Sequence, residues 1–304
     1  MRWAQKRWCC FLVTALFSVT ALGQAPNDLS SRSTTVTVGF LALDRDRHPV
    51  PDLKQSNLTI LDNKRPVRSI IALKTGSELP LRLGFLIDSS NSQRNSGLYK
   101  LAVPAGSDFL NHILKGPNDK VFVVKVTTVP EASNFMSAGE FRNYRLRVAP
   151  EGGTSLYDGV GNACDLRMKT DELQPSRRVL VILSDGDDNM SHISRDEAIA
   201  KALGAGVIIF SVSTADDSSA PYVQGARGES TLEDFAEETG GEAFLHLNRK
   251  KIDQTFSALT EAINNIYFVT FEPADASEKG LHRIELKVSG KDKIRLRAPK
   301  GYYR

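Results

Sequence analysis

Three short segments of this 304-residue sequence carry side chains that could bind a cation. Asp88, Ser90 and Ser92 alternate directly after one apolar run, and Asp185 follows a second apolar run. Thr154 comes after two glycines, at the start of a predicted helix. Carboxylates and hydroxyls are the ligands of Mg²⁺, Mn²⁺ and Ca²⁺, whereas Zn²⁺ and copper favour imidazole and thiolate. The residue types therefore indicate a site for a hard divalent cation.

The elements around these segments indicate an α/β fold. Near-continuous apolar runs at 83–87, 121–126, 179–183 and 207–212 predict strands that are buried on both faces. Apolar residues recur at helical spacing in two stripes: Leu98, Leu101, Ala105, Phe109 and Ile113, and Ile252, Phe256, Leu259 and Ile263. We therefore predict a doubly wound, mainly parallel, Rossmann-like sheet flanked by helices. The loops at the carboxyl ends of such strands converge, which would bring the five oxygen-bearing residues together.

Helix boundaries are indicated by short local patterns. Ser194 with Glu197 and Ser230 with Glu233 have the spacing of capping boxes, so each pair predicts a helix start. Two glycines at 240–241 predict the end of the second of these helices. Pro104 falls inside the first apolar stripe, where we expect it to kink the helix or delay its start.

The two ends of the chain have the alternating pattern of half-buried strands. In segment 33–75, residues 36–42 alternate, and Leu58 and Ile60 precede a turn. In segment 267–304, one alternating set is followed by a turn at 289–292 and a second set, which predicts a hairpin: Ile284, Leu286 and Val288, then Ile294, Leu296 and Ala298. Neither segment is large enough to bury a core alone. We expect them to pair as a small β-sandwich-like unit, with the α/β domain at 81–266 inserted between them.

The ordered set of five oxygen-bearing residues resembles a known metal site. Asp88, Ser90, Ser92, Thr154 and Asp185 match all five positions of the metal-ion-dependent adhesion site of the von Willebrand factor type A family, over residues 81–266. The flanking strand segments, with Tyr302 in a Gly-Tyr-Tyr tail, are similar to a bacterial exported subgroup of that family that is often called VWFA-related.

The resemblance implies a metal held by the hydroxyls of Ser90, Ser92 and Thr154, with Asp88 and Asp185 acting mainly through bound waters. It implies Mg²⁺ first, with Mn²⁺ or Ca²⁺ as other choices. Because neutral hydroxyls leave the charge of the cation partly unbalanced, a carboxylate of a protein partner could bind there. The resemblance thus implies a non-enzymatic adhesion-type module. The plainer interpretation is that the three hydroxyls only cap loops and helices.

Two other functions remain open on the sequence. A metal-dependent hydrolase is one, but no general base is marked out, and the sequence has no Gly-x-Ser-x-Gly elbow, His-Glu-x-x-His motif or Walker motif. A phosphatase of the Asp-x-Asp type would need a carboxylate where Ser90 stands. The other is a structural or assembly scaffold of the cell envelope, in which a flanking strand offers its edge to a partner.

The first 23 residues have the pattern of a signal peptide. Arg2, Lys6 and Arg7 precede a short apolar run, and a small-residue cleavage pattern ends at Gly23. The run is short and interrupted for a stable membrane span, although an uncleaved anchor is the alternative. We therefore expect an exported protein, periplasmic or extracellular, without a stable transmembrane anchor.

The net charge of the chain narrows the classes of possible partner. The sequence has 39 Lys+Arg and 36 Asp+Glu, and loss of three basic residues with the signal peptide would leave 36 of each. A neutral chain argues against a nucleic-acid partner, which requires a basic surface.

The cysteines do not indicate a catalytic thiol. Cys9 and Cys10 lie in the predicted signal peptide, so the mature chain would keep only Cys164. We expect Cys164 on the buried face of a helix rather than as a catalytic thiol.

Several polar residues near the five are weaker candidates. Asp187 and Asp188 could add negative potential or hold a second cation, although acidic loops are usually only solvated. Ser155 and Asp158 are expected to cap or support rather than to ligate, and His192 is expected at the surface. Asp216 and Asp217 could line the rim of the same sheet edge, but we do not predict them as ligands.

Overall fold

The computed structural model describes residues 35–146, 148–169, 175–215, 222–289 and 294–304, with side chains of 222–226 excepted. The predicted signal peptide at 1–23, the first two residues of segment 33–75, and Asp216 and Asp217 lie outside the described residues. No described helix is long and apolar enough to cross a membrane.

The described residues form fifteen strands and six α-helices. The strands are β1 (Val36–Leu43), β2 (Leu58–Asp62), β3 (Arg65–Pro66), β4 (Ser69–Thr75), β5 (Leu81–Asp88), β6 (Lys120–Val126), β7 (Glu131–Ala132), β8 (Met136–Ser137), β9 (Arg177–Ser184), β10 (Ile208–Ser213), β11 (Ala243–Phe244), β12 (Tyr267–Glu272), β13 (Leu281–Val288), β14 (Arg295–Arg297) and β15 (Gly301–Tyr303). The helices are α1 (Gly97–Ile113), α2 (Ala138–Asn143), α3 (Leu156–Ala163), α4 (Arg195–Gly204), α5 (Tyr222–Thr239) and α6 (Ile252–Asn264).

The central sheet has the strand order β11-β10-β9-β5-β6-β7, with β8 also paired to β6. The pairs from β11 to β6 are parallel, and only β7 and β8 run antiparallel. Helices α1, α2 and α6 cover one face, and α3, α4 and α5 cover the other. Leu83 and Phe85 pack on the first face while Leu86 packs on the second, which explains the unbroken apolar runs. The predicted fold class is confirmed.

The remaining strands form two four-stranded sheets that enclose a separate core. Their orders are β14-β1-β12-β4 and β15-β13-β2-β3. Strands from the two ends of the chain pair in both sheets: Val38 lies opposite Val269, and Ile60 lies opposite Leu286. Phe40, the fifth residue of β1, stacks on Tyr267 at 5.6 Å between ring centroids. This core therefore joins residues that are more than two hundred positions apart in the sequence.

The predicted hairpin in the C-terminal segment is wrong. Its two alternating sets do face one core, but β13 pairs with β2 and β15 while β14 pairs with β1 in the other sheet. Alternation shows which face of a strand is buried, and it does not show which strand lies beside it. Residues 290–292 of the expected turn at 289–292 lie outside the described residues.

Two predicted helix features also need correction. Ser230 does not start a helix, because α5 begins at Tyr222 and Ser230 is an exposed residue inside it. Pro104 does not delay α1, whose N-cap Ser96 accepts a hydrogen bond from the backbone N–H of Tyr99 at 3.0 Å. Pro104 is exposed, and so is Leu101, which the predicted stripe had placed in the core. Water can bind the carbonyl that the missing proline N–H leaves without a partner.

Other local predictions agree with the structure. Ser194 and Glu197 form the capping box of α4, and Gly240 follows the last residue of α5 with φ +82°. Cys164 is buried among apolar residues that cover the sheet. Burial raises the pKa of its thiol. A buried thiol of this kind is a poor nucleophile, as expected for a packing residue.

Candidate metal centre

The two predicted carboxylates emerge side by side at the carboxyl end of the central sheet. Strands β5 and β9 are adjacent and parallel, with Ile87 opposite Leu183. Asp88 is the last residue of β5, and Asp185 follows the last residue of β9. Because adjacent parallel strands end at the same edge of the sheet, these two side chains lie close together.

A chain of hydrogen bonds links the residues between the carboxylates. The backbone N–H of Ser90 donates to Asp88 Oδ1 at 2.9 Å. Ser90 Oγ lies 2.9 Å from Ser92 Oγ, and Ser92 Oγ donates to Asp185 Oδ2 at 2.7 Å. Four of the five predicted ligands are therefore connected in one cluster.

Thr154 enters this region on a third loop. Its loop is tied to the loop after β5, since the N–H of Glu151 donates to the carbonyl of Ser89 at 2.7 Å and the N–H of Asn91 donates to the carbonyl of Gly152 at 3.1 Å. The N–H of Thr154 donates to Asn189 Oδ1 at 3.0 Å. Thr154 is buried, and within the described ranges no hydrogen bond joins its hydroxyl to the other four residues.

The electrostatics of the cluster are dominated by two neighbouring acids. Asp88 has 1% of its surface exposed, and Asp185 is half-buried. Burial, followed by the charge of Asp185, raises the pKa of Asp88 to about 7, against the lowering effect of hydrogen bonds from Ser184 and Ser90. Partial burial also raises the pKa of Asp185. None of the ion pairs in the described part of the chain includes either carboxylate. The cluster thus brings two carboxylates together without an ion-pair partner among the described residues.

The donor set fits a hard divalent cation. It offers two carboxylates and hydroxyls on adjacent loops, which are oxygen ligands of the kind that Mg²⁺ and Ca²⁺ bind. No group of three or more His, Cys, Asp or Glu residues within the described ranges could hold a metal ion. That result argues against a site built only from carboxylate, imidazole and thiolate, and it does not concern hydroxyl ligands.

Three supporting residues were missed by the sequence reasoning. Ser184 Oγ donates to Asp88 Oδ2 at 2.7 Å and accepts from the N–H of Gly186 at 2.9 Å. Asn189 holds the backbone of Thr154, as described above. Gly186 has φ +84°, and a Cβ there would lie 2.0 Å from the carbonyl oxygen of Gly228. Ser184 and Gly186 flank Asp185 at the end of a predicted strand, so their position was a usable signal. Asn189 offered none.

The side chains of the weaker candidates mainly form hydrogen bonds with nearby backbone and side-chain groups. Asp188 accepts hydrogen bonds from the N–H of Tyr157 at 2.9 Å and from Ser191 Oγ at 2.6 Å, which fixes the start of α3. Asp158 accepts from the backbone N–H of His192, and the exposed His192 ring lies 2.9 Å from the same carboxylate. Burial and the charge of Asp185 raise the pKa of Asp187, so it adds to the local negative potential. Ser155 Oγ donates to the carbonyl of Thr128 at 2.8 Å.

Comparison with solved structures returns von Willebrand factor type A domains among its matches. The type A protein from Catenulispora acidiphila is 11% identical, with 87% of this chain and 72% of that chain covered and a TM-score of 0.46. The corresponding domain of the type V pilus tip protein Mfa5 from Porphyromonas gingivalis is 12% identical, with 61% of this chain and 95% of that chain covered and a TM-score of 0.48.

A further match is proximal thread matrix protein 1 from the mussel byssus, in a structure described with a zinc-occupied MIDAS motif. It is 18% identical, with 67% of this chain and 50% of that chain covered and a TM-score of 0.46. This chain spans about half the length of that protein in its other two structures, 51% and 49%. No protein-family model matches the sequence, and no curated protein matches it.

Proposed function

We propose that this chain is an exported, non-enzymatic binding module that recognises an acidic group of a protein partner through a divalent cation. The cation would be Mg²⁺ first, with Mn²⁺ or Ca²⁺ as alternatives, held by the hydroxyls of Ser90, Ser92 and Thr154. Asp88 and Asp185 would act mainly through bound waters. The observation that carries the proposal is the linkage of two neighbouring carboxylates, the buried Asp88 and the half-buried Asp185, through Ser90 and Ser92 at the carboxyl edge of the sheet.

The physical reason is charge balance. Two neighbouring carboxylates, one buried and one half-buried, disfavour each other's ionised form, and a divalent cation would remove that penalty. When bound, the cation would supply a positive centre whose charge the hydroxyl ligands leave partly unbalanced, so that an acidic oxygen of a partner could approach it. The serine hydroxyls of the cluster pair with carboxylates, and no hydrogen bond within the described cluster joins them to a histidine or lysine, which supports binding rather than catalysis.

Calorimetric titration of the mature chain with Mg²⁺, Mn²⁺ and Ca²⁺ tests the metal. We expect binding at millimolar concentration or tighter, weakened about tenfold or more, equivalent to about 1.4 kcal/mol, by Asp88→Ala or Ser90→Ala. Ser107→Ala is the matched control, because it removes a hydroxyl from α1 outside the cluster. Equal affinity in Ser90→Ala, Asp88→Ala and the control would contradict the proposed ligands.

Selection from a random peptide library tests the partner chemistry. The immobilised mature chain is offered the library with Mg²⁺ and, in parallel, with EDTA. We expect Mg²⁺-dependent enrichment of peptides that share an Asp or Glu at a fixed position, and loss of that enrichment with Ser90→Ala. Enrichment that ignores both EDTA and the substitution would favour the scaffold alternative, in which partners bind elsewhere on the chain.

A further inference from the structure

A groove beside β11, the edge strand of the central sheet, is not used by the proposed metal-dependent function. It has a volume of about 660 Å³ and lies between edge strand β11, helix α6 and the loop at 46–49 that follows β1. It shares no residue with the five predicted ligands. Pockets that hold ligands have volumes of about 300–1,000 Å³, so the groove can accommodate a short segment of extended chain.

Strand β11 presents a free edge to this groove. It is the terminal strand of the central sheet, and among the described strands it pairs with β10 alone. Ser211 lies opposite Ala243, and the N–H of Ser211 donates to the carbonyl of Glu242. In a parallel ladder, residues alternate between facing the neighbouring strand and facing away. The N–H and C=O of Ala243 therefore point away from β10, towards the groove.

The walls of the groove are acidic. Asp46, Glu242, Asp253 and Glu261 line it, against a single arginine, Arg47, which pairs with Glu242. The negative charge of Asp253, in the first turn of α6, interacts favourably with the helix dipole. Glu261 lies in the last turn, where a negative charge opposes the dipole, so helix stability does not account for it.

Partly buried apolar residues complete the lining. Phe244 and Leu245 on the β11 side are partly exposed to the groove, and Ala258 faces them from α6. An extended peptide directs alternate side chains to opposite sides, so it could place apolar residues on this floor and charged residues towards the acids. Recognition by strand addition combines main-chain hydrogen bonds with such side-chain pockets.

We propose that this groove binds a basic, extended peptide segment of a protein partner, which adds to the central sheet beside β11. The main-chain partner of the segment is Ala243, and its lysine or arginine side chains face Asp253, Glu261 and Asp46. The net negative lining selects a basic occupant over a neutral or an acidic one.

The test uses a fluorescein-labelled peptide of about six alternating lysine and valine residues, the length of an ordinary strand. Its binding to the full mature chain is measured by fluorescence anisotropy in EDTA, with a glutamate–valine peptide of equal length as the charge-reversed probe. We expect saturable binding of the lysine peptide that weakens when salt rises from about 50 mM to about 300 mM, and no binding of the glutamate peptide. EDTA makes this result independent of the proposed metal site.

Two variants separate the main-chain and charge contributions. Ala243→Pro removes the outward N–H, which an edge strand tolerates because that N–H does not pair within the sheet; we expect at least about tenfold weaker binding. Glu261→Gln removes one wall charge without harming the helix, and we expect about threefold weaker binding and a smaller salt effect. Asp108→Asn, on the exposed surface of α1, is the matched control and should bind as the wild type does.

Two outcomes would overturn the proposal. One is the absence of saturable binding of the lysine peptide to the wild-type chain at millimolar concentration. The other is equal binding by the wild-type chain and Glu261→Gln together with unchanged hydrogen exchange at the Ala243 amide when the peptide is added. The exchange measurement uses the wild-type chain, so it holds even if Ala243→Pro fails to fold.

Discussion

Ser92 Oγ donates a 2.7 Å hydrogen bond to Asp185 Oδ2, which joins two loops that are 93 positions apart in the sequence. The bond crosses from the loop after β5 to the loop after β9. It places a neutral hydroxyl against the half-buried carboxylate of Asp185, whose neighbour Asp88 is buried. The geometry holds the two carboxylates together and gives each one side-chain hydroxyl donor, Ser92 for Asp185 and Ser184 for Asp88.

Asp185→Asn should separate a metal-binding role from a structural one. The amide oxygen can still accept from Ser92, while the repulsion with Asp88 disappears, so the metal-free variant should unfold at a higher temperature than the wild type. Mg²⁺ at about 100 times the dissociation constant should stabilise the wild type by about 2.7 kcal/mol and the variant by almost nothing. Thermal unfolding with EDTA and with Mg²⁺ measures both effects. If Mg²⁺ stabilises both proteins equally, Asp185 takes no part in metal binding.

The stability of the metal-free chain should fall as pH rises between about 4 and about 7. The pKa of Asp88 is raised from 3.8 to about 7 in the folded protein, so the folded state holds a proton that the unfolded state releases in this window. The stabilisation is complete below the lower value and lost above the higher one. Urea unfolding in EDTA at several pH values checks the slope, and saturating Mg²⁺, which binds the ionised carboxylates, should flatten it. In Asp88→Asn the slope should be smaller.

Gly186→Ala should destabilise the chain by about 3 kcal/mol or more. Residue 186 has φ +84°, and the added methyl group would lie 2.0 Å from the carbonyl oxygen of Gly228 in α5. Gly206→Ala is the control, because Gly206 has φ +62° and a methyl group added there would meet no heavy atom within 4 Å, so it should cost only about 1 kcal/mol of backbone strain. Urea unfolding compares the two. Similar losses would show that the approach of α5 to the site loop tolerates an extra methyl group.

Asp62→Leu should destabilise the β-sandwich far more than the double substitution Asp62→Leu with His282→Phe. Both side chains are completely buried, and His282 Nδ1 lies 2.8 Å from Asp62 Oδ1. Removing one member of a buried pair costs about 3–5 kcal/mol, because the other polar group is left without its partner. The double variant removes both groups. Chemical unfolding of the wild type, Asp62→Leu, His282→Phe and the double variant gives the coupling free energy, and additive losses would mean that the pair contributes no specific interaction.

The sequence by itself determined the local features of this protein. Unbroken apolar runs specified the buried strands, because a parallel strand covered by helices on both faces has no polar side. Alternation specified the inward faces of the terminal strands, and the positions of Asp88, Ser90, Ser92 and Asp185 at strand ends indicated that they would meet. Ser194 and Gly240 marked helix boundaries, because capping depends on residues within one turn.

Only the tertiary structure decided which separated elements lie together. The pairing of β14 with β1 rather than with β13 depends on closure of a two-sheet core, which no local pattern encodes. The early start of α5, through two glycines, depends on the close approach of Gly228 to the loop of Asp185. The support that Ser184 and Asn189 give to the site likewise arises from contacts between distant loops. Local propensities are worth less than such packing, and packing exists only after the chain has folded.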